Sequence, residues 1–200
     1  MKKFEKRFSF KEMKMDKDYL ILEDNVRYSF MSVVWSHKIQ EKQADILTEK
    51  YNRFETIRII CASLTSVGLI SLVFSEQFII KVLSTLISFV STAISLFFKS
   101  YDIQKNITNH KNTANELLYL RDKFRFLLVE IKTQNMSVKN LIEKYEDLLE
   151  QLNKVYKTAP NTTDEAVNRA SNYLKIKKDN EFTDDEIDMN LPETLKRRGI

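Results

Sequence analysis

The side chains in this chain that could do chemistry are few. His37 and His110 are the only imidazoles and Cys61 the only thiol. The histidines fall on different predicted helices, with no cysteine or clustered carboxylates beside them, so no metal-ligand set is complete. Trp35 and His37 stand together in Trp35-Ser36-His37-Lys38. A tryptophan on an apolar helix face reads as packing, and a lone histidine as a satisfied or surface residue. Gly68 and Gly199 are the only glycines. Neither a G-x-x-x-x-G-K-[ST] phosphate loop nor a G-x-G-x-x-G fingerprint can be built from them, and a nucleophile elbow is excluded too. Asp184, Asp185, Glu186 and Asp188 form an acidic cluster that a capped surface helix explains. No catalytic, metal or cofactor residue is assigned, and an enzyme is not expected.

One polar pattern remains. Lys81, Ser84, Thr85, Ser88, Ser91, Thr92, Ser95 and Lys99 fall within an arc of about 120° on a helix that is otherwise Leu, Ile, Val, Phe and Ala. Such a stripe does not suit a lipid-facing surface. It reads either as helix–helix packing, where small and hydroxyl residues allow close approach, or as a pore wall turned inward by several copies.

The element that positions the stripe is the second of two apolar runs. They cover about 57–75 and 78–98 and are separated by a break at Ser75, Glu76 and Gln77. Each reaches roughly 27–31 Å as a helix, enough for a hydrocarbon core of about 30 Å. So short a connection makes an antiparallel hairpin with both chain ends on one side. Lys50, Arg53 and Arg58 precede the first run, and Lys99, Lys105 and Lys111 follow the second. By the positive-inside rule both termini are expected in the cytoplasm. Arg58, Cys61, Thr65 and Gly68 share a narrower face of the first run that reads as a packing groove, with Arg58 snorkelling to the headgroups.

Around the hairpin the pattern is helical, with 2 Gly and 2 Pro in 200 residues. Residues 1–25 form an extension, basic and irregular over 1–17, with a short helix at 19–23 and Asp24 or Asn25 capping the next. From Val26, Tyr28, Met31, Trp35, Ile39, Leu47, Tyr51 and Phe54 recur at three- and four-residue spacings. Beyond Lys99 the helix of the second span should continue into the cytoplasm. Two further helices carry Leu117, Leu120, Phe124, Leu127 and Ile131, then Leu141, Tyr145, Leu148, Leu152 and Val155. Asn135–Ser137 separates them, with Ser137 as N-cap. Pro160 ends the pattern. Thr162-x-x-Glu165 and Thr183-x-x-Glu186 fit capping boxes of short helices near 164–178 and 184–189. The expected fold is all-α: a membrane-inserted helical hairpin continuous with a cytoplasmic helical bundle. Its parts are an extension over 1–25, a two-span core over 26–157 and a short-helix segment over 158–200. The net charge of +4 sits in no long block. That suits an anionic leaflet better than a nucleic acid, and no direct nucleic-acid binding is expected.

Several strings in this order resemble the SLATT family of bacterial two-transmembrane effectors. They are Trp35-Ser36-His37-Lys38 with Glu41-Lys42-Gln43-Ala44-Asp45 before the hairpin, and Tyr101-Asp102 after it. His110-Lys111-x-x-Ala114-Asn115 and Tyr156-Lys157-x-Ala159-Pro160-x-Thr162 follow, then Phe182-Thr183-Asp184-Asp185-Glu186-Ile187-Asp188 and Leu191-Pro192. The resemblance implies an effector of anti-phage conflict systems that perforates the inner membrane as a homo-oligomer. Its implied trigger is a cyclic oligonucleotide, or a co-encoded nucleotidyltransferase or reverse transcriptase. The alternative is a non-conducting membrane scaffold that recruits a partner through its cytoplasmic helices.

The basic flanks of the two runs generate the first prediction. A reporter fused after Ile200 should read as cytoplasmic in cells; a periplasmic signal would overturn the assigned orientation.

Overall fold

The computed structural model describes residues 2–74, 77–179, 181–192 and 196, with side chains in the first helix described over 17–71. Helix α1 (Lys2–Phe74) is continuous, and at 1.5 Å per residue it is about 110 Å long. It is followed by α2 (Phe78–Tyr101), α3 (Ile103–Thr133), α4 (Val138–Thr158), α5 (Asp164–Lys175) and α6 (Asp184–Met189). No strand occurs among the described residues. The fold is the expected one: a hairpin of two apolar helices, α2 and the last part of α1, continuous with a helical bundle.

The bundle forms because α1 keeps a buried stripe in step with two heptad helices. Leu22, Val26 and Val33 pack into one cluster with Leu117, Leu120, Phe124, Leu127 and Ile131 of α3 and Leu141, Leu148, Leu152 and Val155 of α4. Phe124 is 0% exposed and meets the Tyr145 ring edge-on at 6.3 Å, a favoured aromatic geometry. The Tyr145 and Ser29 hydroxyls are 2.8 Å apart, so the seam's polar atoms are paired. At the far end the α3–α4 turn is tied to α1 by Tyr19, whose hydroxyl donates to the Met136 carbonyl at 2.7 Å. Gln134 takes a left-handed conformation at φ 50°, and Ser137 caps α4 by accepting from the Asn140 amide.

Several local expectations are corrected. There is no helix start at Asp24 or Asn25. Asn25 instead donates from Nδ2 to the Ile21 carbonyl at 2.7 Å inside α1, because the buried stripe at Leu22 and Val26 runs through the position. Residues 2–17 are helical in backbone rather than irregular, in keeping with the good intrinsic helix propensity of Lys, Glu and Met. The second span does not run straight on: Asp102 adopts φ 42°, ψ 50° and separates α2 from α3. Asp is among the few residues that tolerate this region. Thr163, not Thr162, caps α5, by accepting from the Ala166 amide, and α5 ends at Lys175 rather than Lys178. Glu165 pairs with Arg169 instead of closing a box. The Thr183–Glu186 box is present as expected. Of the hairpin break, Ser75 and Glu76 lie outside the described residues, and Gln77 is the N-cap of α2.

Within the hairpin, the apolar residues of both helices point outward. Ile59, Leu64, Val67 and Leu69 on α1, and Leu83, Leu86, Phe89 and Leu96 on α2, are all exposed. Where the spans meet the bundle, Tyr51 and Phe98 stack with centroids 4.9 Å apart, and Phe97 and Tyr101 with centroids 4.6 Å apart. Aromatic residues gather at such a boundary because their rings suit the headgroup layer.

Phe124 sets the stability of the bundle. Phe124→Ala should cost about 3–5 kcal/mol, read as a lowered denaturation midpoint of the detergent-solubilised chain. Tyr119→Ala on the same helix, at a residue 60% exposed, should stay within about 0.5 kcal/mol.

Candidate functional site

Two polar groupings stand out, one on the hairpin and one where α1 leaves the bundle. On the hairpin, the hydroxyl stripe of α2 is divided. Ser84 is 7% exposed and sits against Gly68 of α1, where a Cβ would collide with the Ser84 hydroxyl. Ser88 and Ser91 are half-buried on the same edge, whereas Lys81, Thr85, Thr92, Ser95 and Lys99 are exposed. Thr65 and Leu69 of α1 line a groove with Ser84, Ser88 and Thr92 of α2. Several hydroxyls are satisfied within their own helix. Thr85 donates to the Lys81 carbonyl at 2.8 Å, Thr92 to Ser88 at 2.9 Å and Ser95 to Ser91 at 3.0 Å. On the first span, Cys61, Thr65 and Gly68 are half-buried on the edge that meets α2. Arg58 pairs with Glu55 one turn back.

The second grouping joins α1 to the segment after Pro160. Lys38 is 4% exposed and donates to Glu41 at 2.9 Å and to Asp179 at 2.7 Å. Lys42, also buried, bridges Glu41 and Asp45, each at 2.9 Å. Its ammonium also lies 4.0 Å from the centroid of the Tyr173 ring, as does that of Lys177. Burial alone would lower the Lys38 ammonium, but its bonds to Asp179 and Glu41 outweigh that and hold it above the usual lysine range. Burial likewise works to raise the Glu41 carboxyl, and the two lysines overcome it and hold it low. A buried charge persists only when paired in this way.

Two glutamines complete the joint. Gln40 donates from Nε2 to the Pro160 carbonyl at 3.1 Å, and its Oε1 lies 2.5 Å from His110 Nδ1. Pro160 offers only an acceptor there, so the amide is oriented with its oxygen toward His110. His110 therefore donates from Nδ1. Gln43 Oε1 accepts from both the amide and the hydroxyl of Thr163 at 2.8 Å, which seats the start of α5. Ala166 and Ala170, both fully buried, complete that helix's inner face, and Arg169 reaches Glu49 on α1 at 2.8 Å.

The residues singled out in the sequence are distributed accordingly. Trp35 is half-buried, with the Lys175 ammonium 5.4 Å from its ring centroid. His37 is buried beside Glu41, with Nε2 4.0 Å from that carboxylate, and its Nδ1 has no hydrogen-bond partner among the described residues. Ala114 is buried next to His110 in α3, while Asn115 is exposed at the rim of a groove toward α4. Asp185 is exposed, Glu186 closes the α6 capping box and Asp188 is half-buried. His37 and His110 are not brought together with a metal set; no such cluster occurs among the described residues. Sequence reasoning missed Lys38, Gln40, Lys42 and Gln43 as buried positions. Their one signal was a polar stretch, broken only by Ile39, on a helix that is amphipathic on either side.

Two apolar helices long enough to cross a bilayer, joined to a helical bundle, give the chain the architecture of a two-span membrane protein. The family model described as "SMODS and SLOG-associating 2TM effector domain family 4" matches residues 22–186, and the chain belongs to that family. No curated protein and no solved structure matches it.

The two histidines generate a pH prediction. Burial lowers both from the ordinary value of 6.5, with Lys38 and Arg121 adding to the effect at His37 against Glu41. The unfolded chain then binds protons that the folded chain resists. Stability should be full above about pH 6.5 and fall as pH drops through that value toward the lowered native values, by up to about 1.4 kcal/mol per pH unit per histidine. The double variant His37→Asn, His110→Asn should flatten this dependence in denaturation scans from pH 7.5 to 5.5.

Proposed function

We propose that this protein is a membrane effector of bacterial anti-phage immunity, oligomerising through the hairpin to permeabilise the inner membrane when a partner enzyme or a cyclic oligonucleotide signals. Both termini lie in the cytoplasm in this reading, where the bundle meets its trigger. The observation that carries it is the division of the α2 stripe. The hairpin covers only the Ser84 edge; Lys81, Thr85, Thr92 and Lys99 stay exposed on a helix that otherwise shows lipid Leu, Val and Phe. Ionisable and hydroxyl side chains at membrane depth face protein or water rather than lipid. Further copies would supply that protein and, in a ring, that water. The family description, a two-transmembrane effector domain, supports the effector role.

The hydroxyl bonds of Thr85, Thr92 and Ser95 to their own helix favour a second reading. Hydroxyls satisfied locally need no aqueous lining, and the same hairpin would then anchor a non-conducting scaffold.

A leakage assay separates the two. Thr85→Leu with Thr92→Leu removes the exposed edge while leaving Ser84 against Gly68, and makes insertion more favourable. Dye or ion leakage on triggered expression should fall at least about tenfold, because an apolar constriction dewets. Leu86→Ile with Val90→Ile, off the stripe, should leave leakage near the native level. Unchanged leakage in the threonine variant, at equal membrane abundance, would exclude this face as a pore lining.

A further inference from the structure

Where α2 turns into α3, beside the start of the first apolar run, a cavity of about 500 Å³ opens between α1 and the turn. Its wall combines Tyr51, Glu55 and Arg58 of α1 with Lys99, Asp102 and Gln104. The floor is fixed: Gln104 Nε2 donates to the Tyr51 hydroxyl at 2.7 Å, and Tyr51 is stacked on Phe98. Glu55 and Arg58 hold each other. Lys99 and Asp102 do not. They lie three residues apart with opposite charges, yet their side chains make no ion pair or hydrogen bond with each other or with any other described residue. The left-handed turn at Asp102 removes the regular helical geometry in which side chains three residues apart would meet. An unpaired cation and an unpaired anion therefore share one cavity at the depth where the apolar spans end.

We propose that this cavity seats the headgroup of an ethanolamine phospholipid. The phosphate lies on Lys99, with the Arg58 guanidinium behind it, and the ammonium donates to Asp102. The acyl chains then follow the apolar outer face of α2, along Leu96 and Phe89, both exposed. The charge pattern chooses the lipid. A glycerol headgroup satisfies Lys99 but gives Asp102 no cation. A choline headgroup brings a cation whose methyl groups leave no N–H for the carboxylate. Only a headgroup with a phosphate and a primary ammonium completes both. The assignment rests on the hairpin's residence in a bilayer and is independent of whether the protein conducts.

The test is native mass spectrometry of the full chain, delipidated in detergent and offered equimolar ethanolamine, glycerol and choline phospholipids with matched acyl chains. The ethanolamine lipid should be retained about tenfold over the choline lipid, the effect of one charge-assisted hydrogen bond. Asp102→Asn keeps a residue that tolerates positive φ and should equalise the ethanolamine and choline lipids while leaving the glycerol lipid unchanged. Lys99→Gln should lower all of them. Circular dichroism checks that each variant keeps its helix content, and the headgroup ranking of the native chain decides without any variant. Equal retention of the three lipids by the native chain would overturn the proposal, as would an ethanolamine preference that survives Asp102→Asn. Soluble phosphoethanolamine bound as tightly as the lipid would assign the cavity to a free zwitterion instead and would likewise overturn it.

Discussion

The structure depends on α1 keeping one face in register across two solvents. At about 100° per residue, Leu22, Val26, Val33, Gln40, Ala44, Tyr51, Thr65 and Gly68 all fall within about a third of the helix circumference. Each is buried or half-buried. That single face packs α3 and α4 in the bundle and α2 in the hairpin. No glycine or proline interrupts it before Gly68, and Gly68 is where α2 comes closest. Because α1 is one continuous helix, α2, α3 and α4 approach it from the same side, while Tyr173 and Asp179 cover Lys42 and Lys38 on the other. The left-handed residue at Asp102 follows from this constraint. It lets the second helix of the hairpin re-aim as α3 and stay on the α1 face.

What changes along α1 is the material on the other faces. In the bundle the opposite side carries mostly charged and polar residues, with Leu20 and Met31 exposed among them, and α5 packs against part of it. In the hairpin the remaining circumference is mostly Ile, Leu and Val, and the exposed Ser63 and Ser66 bond to carbonyls of their own helix. The same helix therefore satisfies two rules of burial: apolar residues go inward where water surrounds it and outward where lipid does. The aromatic contacts of Tyr51, Phe54, Phe97 and Phe98 mark the level at which one rule gives way to the other.

The sequence carried the helices and the spans clearly, because both rest on periodic apolar residues: 117, 120, 124, 127 and 131 are all buried as their spacing implied. It was less legible where a local signal met a tertiary one. Asp24 and Asn25 look like a cap, but a cap is worth about 1 kcal/mol, less than the burial of Leu22 and Val26 on one continuous helix. Asp102 gave no sign of a break, since a positive φ in a non-glycine residue is set by where the next helix must go. The joint at Lys38, Gln40, Lys42 and Gln43 was opaque for a related reason. A polar run reads as a solvated face until the segment that covers it is known, and that segment lies about 120 residues further on, as the Gln43–Thr163 and Gln40–Pro160 bonds show.

The two polar groupings differ in a way that divides the molecule mechanically. In the hairpin, Thr85, Thr92 and Ser95 bond to carbonyls four residues back in their own helix. Moving α2 against α1 leaves these bonds intact and gives up the close fit of Ser84 on Gly68 and the ring contacts of Tyr51 and Phe54 with Phe97 and Phe98. At the joint, Gln40, Gln43 and Lys38 find their partners across elements, in Pro160, His110, Thr163 and Asp179. Separating the segment that begins at Pro160 from α1 breaks the bonds of Gln40 to Pro160, Gln43 to Thr163 and Lys38 to Asp179, at about 0.5–1.5 kcal/mol for each neutral bond and more for the charged one. The hydroxyls of the hairpin are thus satisfied whichever surface lies beside α2, whereas the polar groups of the joint depend on the segment after Pro160 being in place.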